Sequence, residues 1–468
     1  MKKTLVNILF LMVVSSAAMG QLPEQYLVKA AENNQGLRAK FLAYQAALER
    51  VPQVGTLPDP TLSFGLSIMP MERYMGDQIM SISLMQMFPW FGTLEAAKNE
   101  MTHMARAQFE AFHEARSVLF YEVRITYYAL LLLEEEIAIT RENIALLETL
   151  QKIALIRFKS GGQSPDNTNA PGSMRSPGME GGTPRDQAAG GMDMRSANPL
   201  ESTASAAMKP MDDMNNMGGG TGMIDVIRVQ MEINELQNKL TLLEESKAPL
   251  LARFNLLLNK ERTEPVELPD TIIPALLPVS LVEISDSIKL NNPMLKMYAE
   301  KEAAFIAQGK MNERMGLPMV GVGVQYDVFR PRPSGESMMN GRNMLMPMAT
   351  VTIPLWRKSI NASVRESDLL RQSIVEMRQD AGDRLMVSYE EALRDFNDAE
   401  RRNKLYQEQT ALATQALNIL VVKYTTAGTR FEEVLRMQQQ LLDYRLLYLD
   451  ALIDGHMAAA MLDRLMGR

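Results

Sequence analysis

The sequence predicts an α+β membrane protein in which each chain supplies four transmembrane β-strands and several long helices, arranged as two tandem structural repeats. Three observations predict this fold class. Segments of the first half recur in the same order in the second half, long stretches show helical periodicity, and short stretches of alternating apolar and polar residues precede them. Because a repeated sequence usually encodes a repeated structural unit, the duplication fixes the expected architecture.

The N-terminus has the features of a signal peptide. Two lysines precede an apolar stretch at residues 5–14, and small residues at Ala18 and Gly20 precede Gln21. Because the apolar stretch is too short to span a membrane, we expect residues 1–20 to be cleaved. An uncleaved anchor is the alternative.

Four segments of the first half have counterparts in the second half. The pairs are NNQGLRAK (33–40) with NNPMLKMY (291–298), FPWFGTLEAAKNEM (88–101) with IPLWRKSINASVRE (353–366), RFKSGG (157–162) with KYTTAG (423–428), and MIDVIRVQMEINELQ (223–237) with FEEVLRMQQQLLDYR (431–445). They predict a first repeat at 21–262, a linker at 263–283 and a second repeat at 284–468.

The first repeat contains an insert that the second repeat lacks. It occupies about residues 164–221 and is rich in Gly, Pro, Ser, Asn and Met, with few aliphatic side chains. Such a composition cannot bury enough apolar area to offset the entropy lost on ordering. We therefore expect a long disordered loop.

Two stretches predict very long helices. Residues 93–160 contain no proline and no glycine, and residues 357–424 are their counterpart in the second repeat. At 1.5 Å per residue, the first stretch would form a helix of roughly 100 Å. Apolar residues spaced three and four apart predict nearly parallel packing against other helices. A soluble helical bundle would show the same spacing.

Two strands are predicted before each long helix. They lie at about 61–69, 79–87, 319–328 and 346–354, where apolar residues alternate with small or polar ones. This pattern is typical of strands with lipid on one face and water on the other. An ordinary half-buried sheet would alternate in the same way.

Aromatic residues favour the membrane interpretation. The only two tryptophans, Trp90 and Trp356, follow the second and fourth predicted strands, and aromatic rings gather at the bilayer interface. Four strands cannot close a barrel, and an open edge in lipid leaves backbone groups unpaired. We therefore expect several chains to assemble, and three chains would supply twelve strands, enough to enclose a lumen.

Together these features resemble the TolC family of outer-membrane efflux channels, in its metal-efflux, CusC-like branch. The motifs that carry the resemblance are FPWFG (88–92), NNPML (291–295), IPLW (353–356) and YTTAGTRFEEVL (424–435). The resemblance implies a homotrimer whose 12-stranded barrel lies in the lipid of the cell outer membrane and continues as a long periplasmic α-helical coiled-coil barrel. It also implies a periplasmic membrane-fusion adaptor and an inner-membrane RND-type pump as partners. Metal-efflux relatives carry a lipid on an N-terminal cysteine; this sequence has no cysteine, so we expect no such anchor.

The resemblance also implies a gate at the periplasmic entrance, where polar links hold the helices closed. By match to the family motif, Tyr424, Gly428 and Arg430 belong to this gate. The acidic partner departs from the family spacing, because Glu432 and Glu433 stand where an aspartate is expected. In the first repeat, Asp225 occupies the matching acidic position. A solvated helix end would explain the same cluster.

The composition excludes several other classes of function. The 49 basic and 56 acidic residues give no basic excess for binding nucleic acid, and the absence of cysteine excludes thiolate metal sites. The three histidines, His103, His113 and His456, lie far apart on predicted helices, where we expect surface positions. No nucleophile–base pair, metal triad or phosphate-binding loop stands out, so we expect no enzyme activity and no cofactor.

Methionines in the insert indicate a soft-metal cargo. They are Met192, Met194, Met208, Met211, Met214 and Met217. Uncharged thioether sulfur prefers Cu(I) and Ag(I) over hard cations, so we expect transient binding of these ions at the entrance. The alternatives are a tolerated linker, a channel for drugs or secreted proteins, and a periplasmic coiled-coil metal-binding protein without a membrane part.

Overall fold

The computed structural model describes residues 24–160, 221–269, 271–277, 280–333, 338–426 and 430–468. The chain is mostly helical and carries one small antiparallel sheet. In chain order its elements are α1 (Glu24–Asn33), α2 (Gln35–Val54), β1 (Thr61–Arg73), β2 (Gly76–Phe88), α3 (Thr93–Ser160), α4 (Thr221–Leu257), α5 (Leu281–Asn291), α6 (Pro293–Met315), β3 (Met319–Arg330), β4 (Met344–Thr352), α7 (Arg357–Thr426) and α8 (Phe431–Leu465).

The two longest helices are α3 with 68 residues and α7 with 70 residues. The first has the predicted bounds, and the second continues two residues beyond the predicted end at 424. Helix α3 packs against α4, α6 and α8, while α7 packs against α6 and α8. Within the described ranges, no helix combines the length and the apolar character needed to cross a membrane.

The four strands form one antiparallel sheet in the order β1-β2-β3-β4. Strands β1 and β2 extend beyond the predicted 61–69 and 79–87 because their ladder continues to the turn, where Arg73 pairs with Gly76. Strand β3 extends two residues past the predicted 319–328. Strand β4 begins and ends two residues earlier than the predicted 346–354, because β3 begins at Met319, the residue opposite Thr352, and offers no partner beyond it.

Equivalent asparagines begin the helices that lead to each strand pair. The side chain of Asn34 caps α2 by accepting a hydrogen bond from the Leu37 amide, and its amide group donates to the Leu257 carbonyl at 3.1 Å. Asn292 caps α6 in the same way, and its amide group donates to the Leu465 carbonyl at 2.9 Å. Each asparagine thus provides hydrogen-bond partners for a backbone amide at the start of one helix and for a backbone carbonyl at the end of the returning helix.

Ser280 and Glu283 form a reciprocal capping box that starts α5 at Leu281, inside the segment 263–283 whose role as a linker between repeats stays a prediction. One expectation from the sequence, the exposure of a histidine, needs correction. His456 was expected at the surface, but only 5% of it is exposed. Its Nε2 lies 2.8 Å from the Ile273 carbonyl oxygen, and its ring stacks on Tyr128. Burial lowers the pKa of His456, and the bond to Ile273 partly opposes that shift.

Candidate channel wall and entrance

One face of the sheet is apolar and exposed. Paired rows across the strands place side chains of the same kind side by side, for example Phe64, Ile82, Tyr326 and Leu345. The exposed members of this face include Leu62, Phe64, Leu66, Leu84, Val320, Val322, Val324, Leu345 and Val351. A contiguous apolar surface of this kind marks a site of contact with lipid or with another protein.

The opposite face of the sheet is built from small, polar and methionine residues. Its paired rows are Ser63, Ser83, Gln325 and Met346; Gly65, Ser81, Asp327 and Met344; Thr61, Met85, Gly323 and Met348; and Met87, Gly321 and Thr350. Near the turn end of this face, Asp327 Oδ1 accepts hydrogen bonds from Gln78 Nε2 at 2.9 Å and from Gln325 Nε2 at 2.8 Å. The two faces therefore differ in chemistry as a wall between lipid and water requires.

Both tryptophans lie at the helix-facing end of the sheet. Trp90 follows β2 and Trp356 follows β4, and 86% of Trp356 is exposed. The neighbouring Phe91 is also exposed, and its ring meets that of Trp90 edge to face at 6.2 Å. This placement fits the predicted interface girdle, whose contact with lipid stays a prediction.

The helices converge at the end far from the sheet, which we call the helix tip: the last two turns of α3, the first turns of α4 and α8, and the last turn of α7. A buried apolar cluster joins these four elements through Ala154, Val229, Tyr424, Phe431 and Val434. The rings of Tyr424 and Phe431 lie 5.1 Å apart. The segment between Ser160 and Thr221 therefore attaches at the same end as the turn between α7 and α8.

Arg157 makes the main polar contact at the helix tip. Its Nη1 donates a hydrogen bond to the Tyr424 carbonyl oxygen at 2.7 Å, and its guanidinium lies 4.3 Å from the centre of the Tyr424 ring. Burial raises the pKa of Tyr424 and nearby Asp225 adds to that shift, while the charge and hydrogen bond of Arg157 oppose it. A single side chain of α3 thus fixes the end of α7.

A second set of charges surrounds Asp225 on α4. Burial raises the pKa of this carboxyl group, Arg228 and Arg157 oppose the shift, and Glu432 adds to it. Arg228 Nη1 lies 3.5 Å from Glu432 Oε2, so α4 is linked to the start of α8. Because both partners are about half exposed, this ion pair contributes at most about 1 kcal/mol.

The residues predicted for the gate are thus only partly brought together. Tyr424, Asp225 and Glu432 lie in the tip network, whereas Arg430 precedes α8 and makes no ion pair with any residue that the structure describes. Glu433 contributes its backbone amide, which donates to the Arg430 carbonyl at 3.2 Å. Gly428 and the six insert methionines lie outside the described residues.

Sequence comparison missed Arg157 and Arg228 as tip residues. The signal for Arg157 was present, because the matched segments RFKSGG and KYTTAG align Arg157 with Lys423, next to Tyr424. Arg228 lies one turn after Asp225 on α4, a spacing that brings both side chains to one helix face. Within the described ranges, histidine, aspartate and glutamate form no three-residue group able to hold a metal ion.

Comparisons of the sequence with family models and with curated proteins give no match. Solved structures, in contrast, match over nearly the whole chain. A membrane protein from Pseudomonas aeruginosa superposes with a TM-score of 0.70 at 13% identity, covering 96% of this chain and 91% of that one. The outer-membrane channel OprN superposes with a TM-score of 0.68 at 13% identity, covering 95% of this chain and 89% of that one. CusC, a protein described for its transmembrane channel formation, superposes with a TM-score of 0.67 at 13% identity, covering 95% of this chain and 91% of that one.

These matches include the strand pairs and the long helices together, since they span at least 95% of the chain. At such low identity, the fold is what the chain shares with these proteins. The chain has the TolC-type fold of outer-membrane channels that its sequence motifs resemble.

Proposed function

We propose that this chain is the outer-membrane channel of a tripartite efflux system, a passive conduit rather than an enzyme. The observation that carries the proposal is the sheet, which has an exposed apolar face and a polar opposite face. Among the described residues, its edge strands β1 and β4 each pair with a strand on one side only. An exposed apolar sheet with open edges is unfavourable in water and, by itself, also in lipid, because edge N–H and C=O groups need partners.

Assembly of three chains satisfies both requirements. Pairing of β1 of one chain with β4 of the next would close a 12-stranded barrel, turn the apolar faces to the lipid and enclose a lumen lined by the polar faces. The long helices would then continue the lumen across the periplasm. A periplasmic adaptor and an inner-membrane pump would supply cargo and energy.

Cysteine crosslinking of the edge strands tests the assembly. The chain has no native cysteine, so introduced pairs report a single contact. Leu345→Cys on β4 is combined in turn with Leu62→Cys, Phe64→Cys and Leu66→Cys on β1, and oxidised in native outer membranes. We expect one of the pairs to give a ladder that ends at three chains, whereas Leu412→Cys on an exposed face of α7 gives none. A water-soluble monomer without crosslinks would refute the channel.

The cargo of the channel is proposed to be Cu(I) or Ag(I). This proposal is supported by the sequence of the insert and by the position of its ends at the helix tip, next to Arg157 and Tyr424. Replacing the insert with a short Gly-Ser linker should reduce silver and copper tolerance of the native host while leaving trimer assembly intact. Unchanged tolerance would leave drugs or secreted proteins as the cargo.

A further inference from the structure

A strip of methionines runs along the polar face of the sheet, distinct from the methionines of the insert. It consists of Met85 and Met87 on β2 and Met344, Met346 and Met348 on β4, and we call it the methionine strip. We propose that the methionine strip binds soft monovalent cations, Cu(I) or Ag(I), inside the barrel. The inference rests on the proposed function, because this face becomes the lumen wall only when three chains assemble.

One glycine of β3, Gly321, makes room for two sulfur atoms. Gly321 lies opposite Met87 and Gly323 opposite Met85, and on the other side Gly323 lies opposite Met348. A Cβ atom at Gly321 would lie 2.6 Å from Met87 Sδ and 3.6 Å from Met85 Sδ, so both sulfurs occupy the space above this glycine. On the β4 side of Gly321, the Thr350 hydroxyl donates to Met85 Sδ at 3.6 Å. Because Gly323 places no side chain between Met85 and Met348, a rotation of Met85 would let thioethers from β2 and β4 approach one cation from two sides.

The distribution of methionine between the two faces argues against a role as general apolar filler. Among the paired rows of the apolar face, one residue is a methionine, Met80, and the rest of that face uses mainly Leu, Ile, Val and Phe. The five strip methionines instead alternate with those residues and share a face with serine, threonine, glutamine and aspartate. Packing against lipid therefore does not explain their position.

The strip also has a regular spacing along the strand. Alternate residues of β4 project from the same face, so Met344, Met346 and Met348 are about 7 Å apart in steps of two residues. A cation bound near Met348 would find the next thioether within one such step. The strip therefore provides a series of neighbouring sites rather than a single closed site.

A buried carboxylate stands at the far end of the strip. Asp327 lies opposite Met344, none of it is exposed, and its Oδ2 has no hydrogen-bond partner among the described residues. Its Oδ1 is held by two glutamine amides. Because Oδ2 accepts hydrogen bonds and coordinates cations but has no partner here, Asp327 would favour cations over anions along this wall.

The ligand chemistry gives the site two recognisable properties. Thioether sulfur is soft and uncharged, so it selects Cu(I) and Ag(I) over zinc, magnesium and calcium. It also requires no deprotonation, unlike a thiol or an imidazolium, so binding by methionine depends little on pH between about 5.5 and 7.5.

The test uses the full-length trimer in detergent micelles with silver nitrate as the probe, in chloride-free nitrate buffer. To separate the strip from the insert, all chains carry serine in place of Met192, Met194, Met208, Met211, Met214 and Met217. Titration calorimetry is done on this parent, on the triple variant M85L/M87L/M348L, and on Met80→Leu as the control on the apolar face. Leucine retains the side-chain volume and removes only the sulfur.

We expect the parent and Met80→Leu to bind silver equally and the triple variant to bind at least about tenfold more weakly, the loss typical of a weakened metal site. X-ray absorption of the parent should show silver–sulfur scattering. If the triple variant does not assemble, the single variant Met348→Leu replaces it in the titration, and the absorption spectrum of the parent shows whether sulfur binds the silver. Equal silver binding by the parent and the triple variant, or a spectrum without sulfur ligands, would overturn the proposal that the methionine strip binds silver. The conductance of the silver-free parent in planar bilayers reports separately on the channel, so the two failures are distinguishable.

Discussion

Replacement of Arg157 by alanine should loosen the helix tip and raise the conductance of the proposed channel. The side chain makes two contacts with Tyr424, a hydrogen bond at 2.7 Å and a cation–π contact at 4.3 Å. A hydrogen bond from a charged donor contributes about 1.5–3 kcal/mol, and an exposed cation–π contact about 0.5–1 kcal/mol. Since Arg157 is half-buried, we take the lower end of both ranges, about 2 kcal/mol.

A loss of 2 kcal/mol changes the ratio of two states by roughly 30-fold. If the Arg157–Tyr424 link holds the closed tip, the open fraction of a mostly closed channel rises by that factor. The measurement is the open probability of single trimers in planar bilayers at fixed voltage and salt. Arg157→Lys should give an intermediate result, because lysine keeps the charge but lacks the planar guanidinium that lies over the ring.

The matched control is Arg445→Ala. Arg445 Nη1 lies 3.0 Å from Glu142 Oε2 and links α8 to α3, but this pair is exposed and contributes about 1 kcal/mol or less. The sequence-predicted gate residue is tested beside it with Arg430→Ala. If Arg157→Ala conducts no more than Arg445→Ala, the Tyr424 link does not hold the tip. If Arg430→Ala alone opens the channel, closure depends on contacts between chains that one chain does not contain.

Three further outcomes are expected. Asn292→Ala should lower the free energy of unfolding by about 1–3 kcal/mol, because it removes a helix cap and leaves the Leu465 carbonyl unpaired, whereas exposed Asn291→Ala should change it little; denaturant titration distinguishes them. The pKa of Asp225 is raised above 3.8, so the protonated carboxyl group stabilises the fold more than the ionised one, and this stabilisation is lost as pH rises through the folded-state pKa. Hydrogen exchange in the first turns of α4, corrected for intrinsic rates, should therefore slow at acidic pH in the native chain. The same change should be absent in Asp225→Asn. In a Trp90→Phe chain, the fluorescence of Trp356 should be quenched by lipids brominated near the headgroup. If a water-soluble quencher reduces this fluorescence and the brominated lipids do not, the ring lies outside the interface.

The elements of this fold were predictable because each has a local signal. Residues 93–160 contain neither proline nor glycine, and the structure places one uninterrupted helix between Thr93 and Ser160. The alternation in β3 predicted a two-faced strand because side chains of a strand point to opposite sides at every residue. Local sequence patterns do not determine where a strand ends, because β1 and β2 continue for as long as each has residues of the other to pair with.

The helix tip was only partly predictable because its contacts join distant parts of the chain. Arg157 and Tyr424 are 267 residues apart, and nothing in the spacing near either residue indicates the other. The burial of His456 had the same origin: its partner Ile273 lies in the segment between α4 and α5, which has no periodicity. The alignment of the two predicted repeats held part of the missing information, because it matches Arg157 with Lys423 and so places a basic residue at the same position near the end of both long helices.

The methionine strip and the proposed cargo together place a constraint on how tightly the channel can bind. A conduit must attract an ion well enough for it to enter and release it readily enough for it to leave, which favours several weak sites over one strong site. Thioethers spaced about 7 Å apart along β4 meet this condition, because each site is incomplete without flexible neighbours. Asp327 adds an oxygen atom, Oδ2, that has no hydrogen-bond partner among the described residues and could attract a cation without adding a thiolate or an imidazole to the site. A wall built in this way would guide soft cations outward under the concentration difference that the proposed pump would maintain.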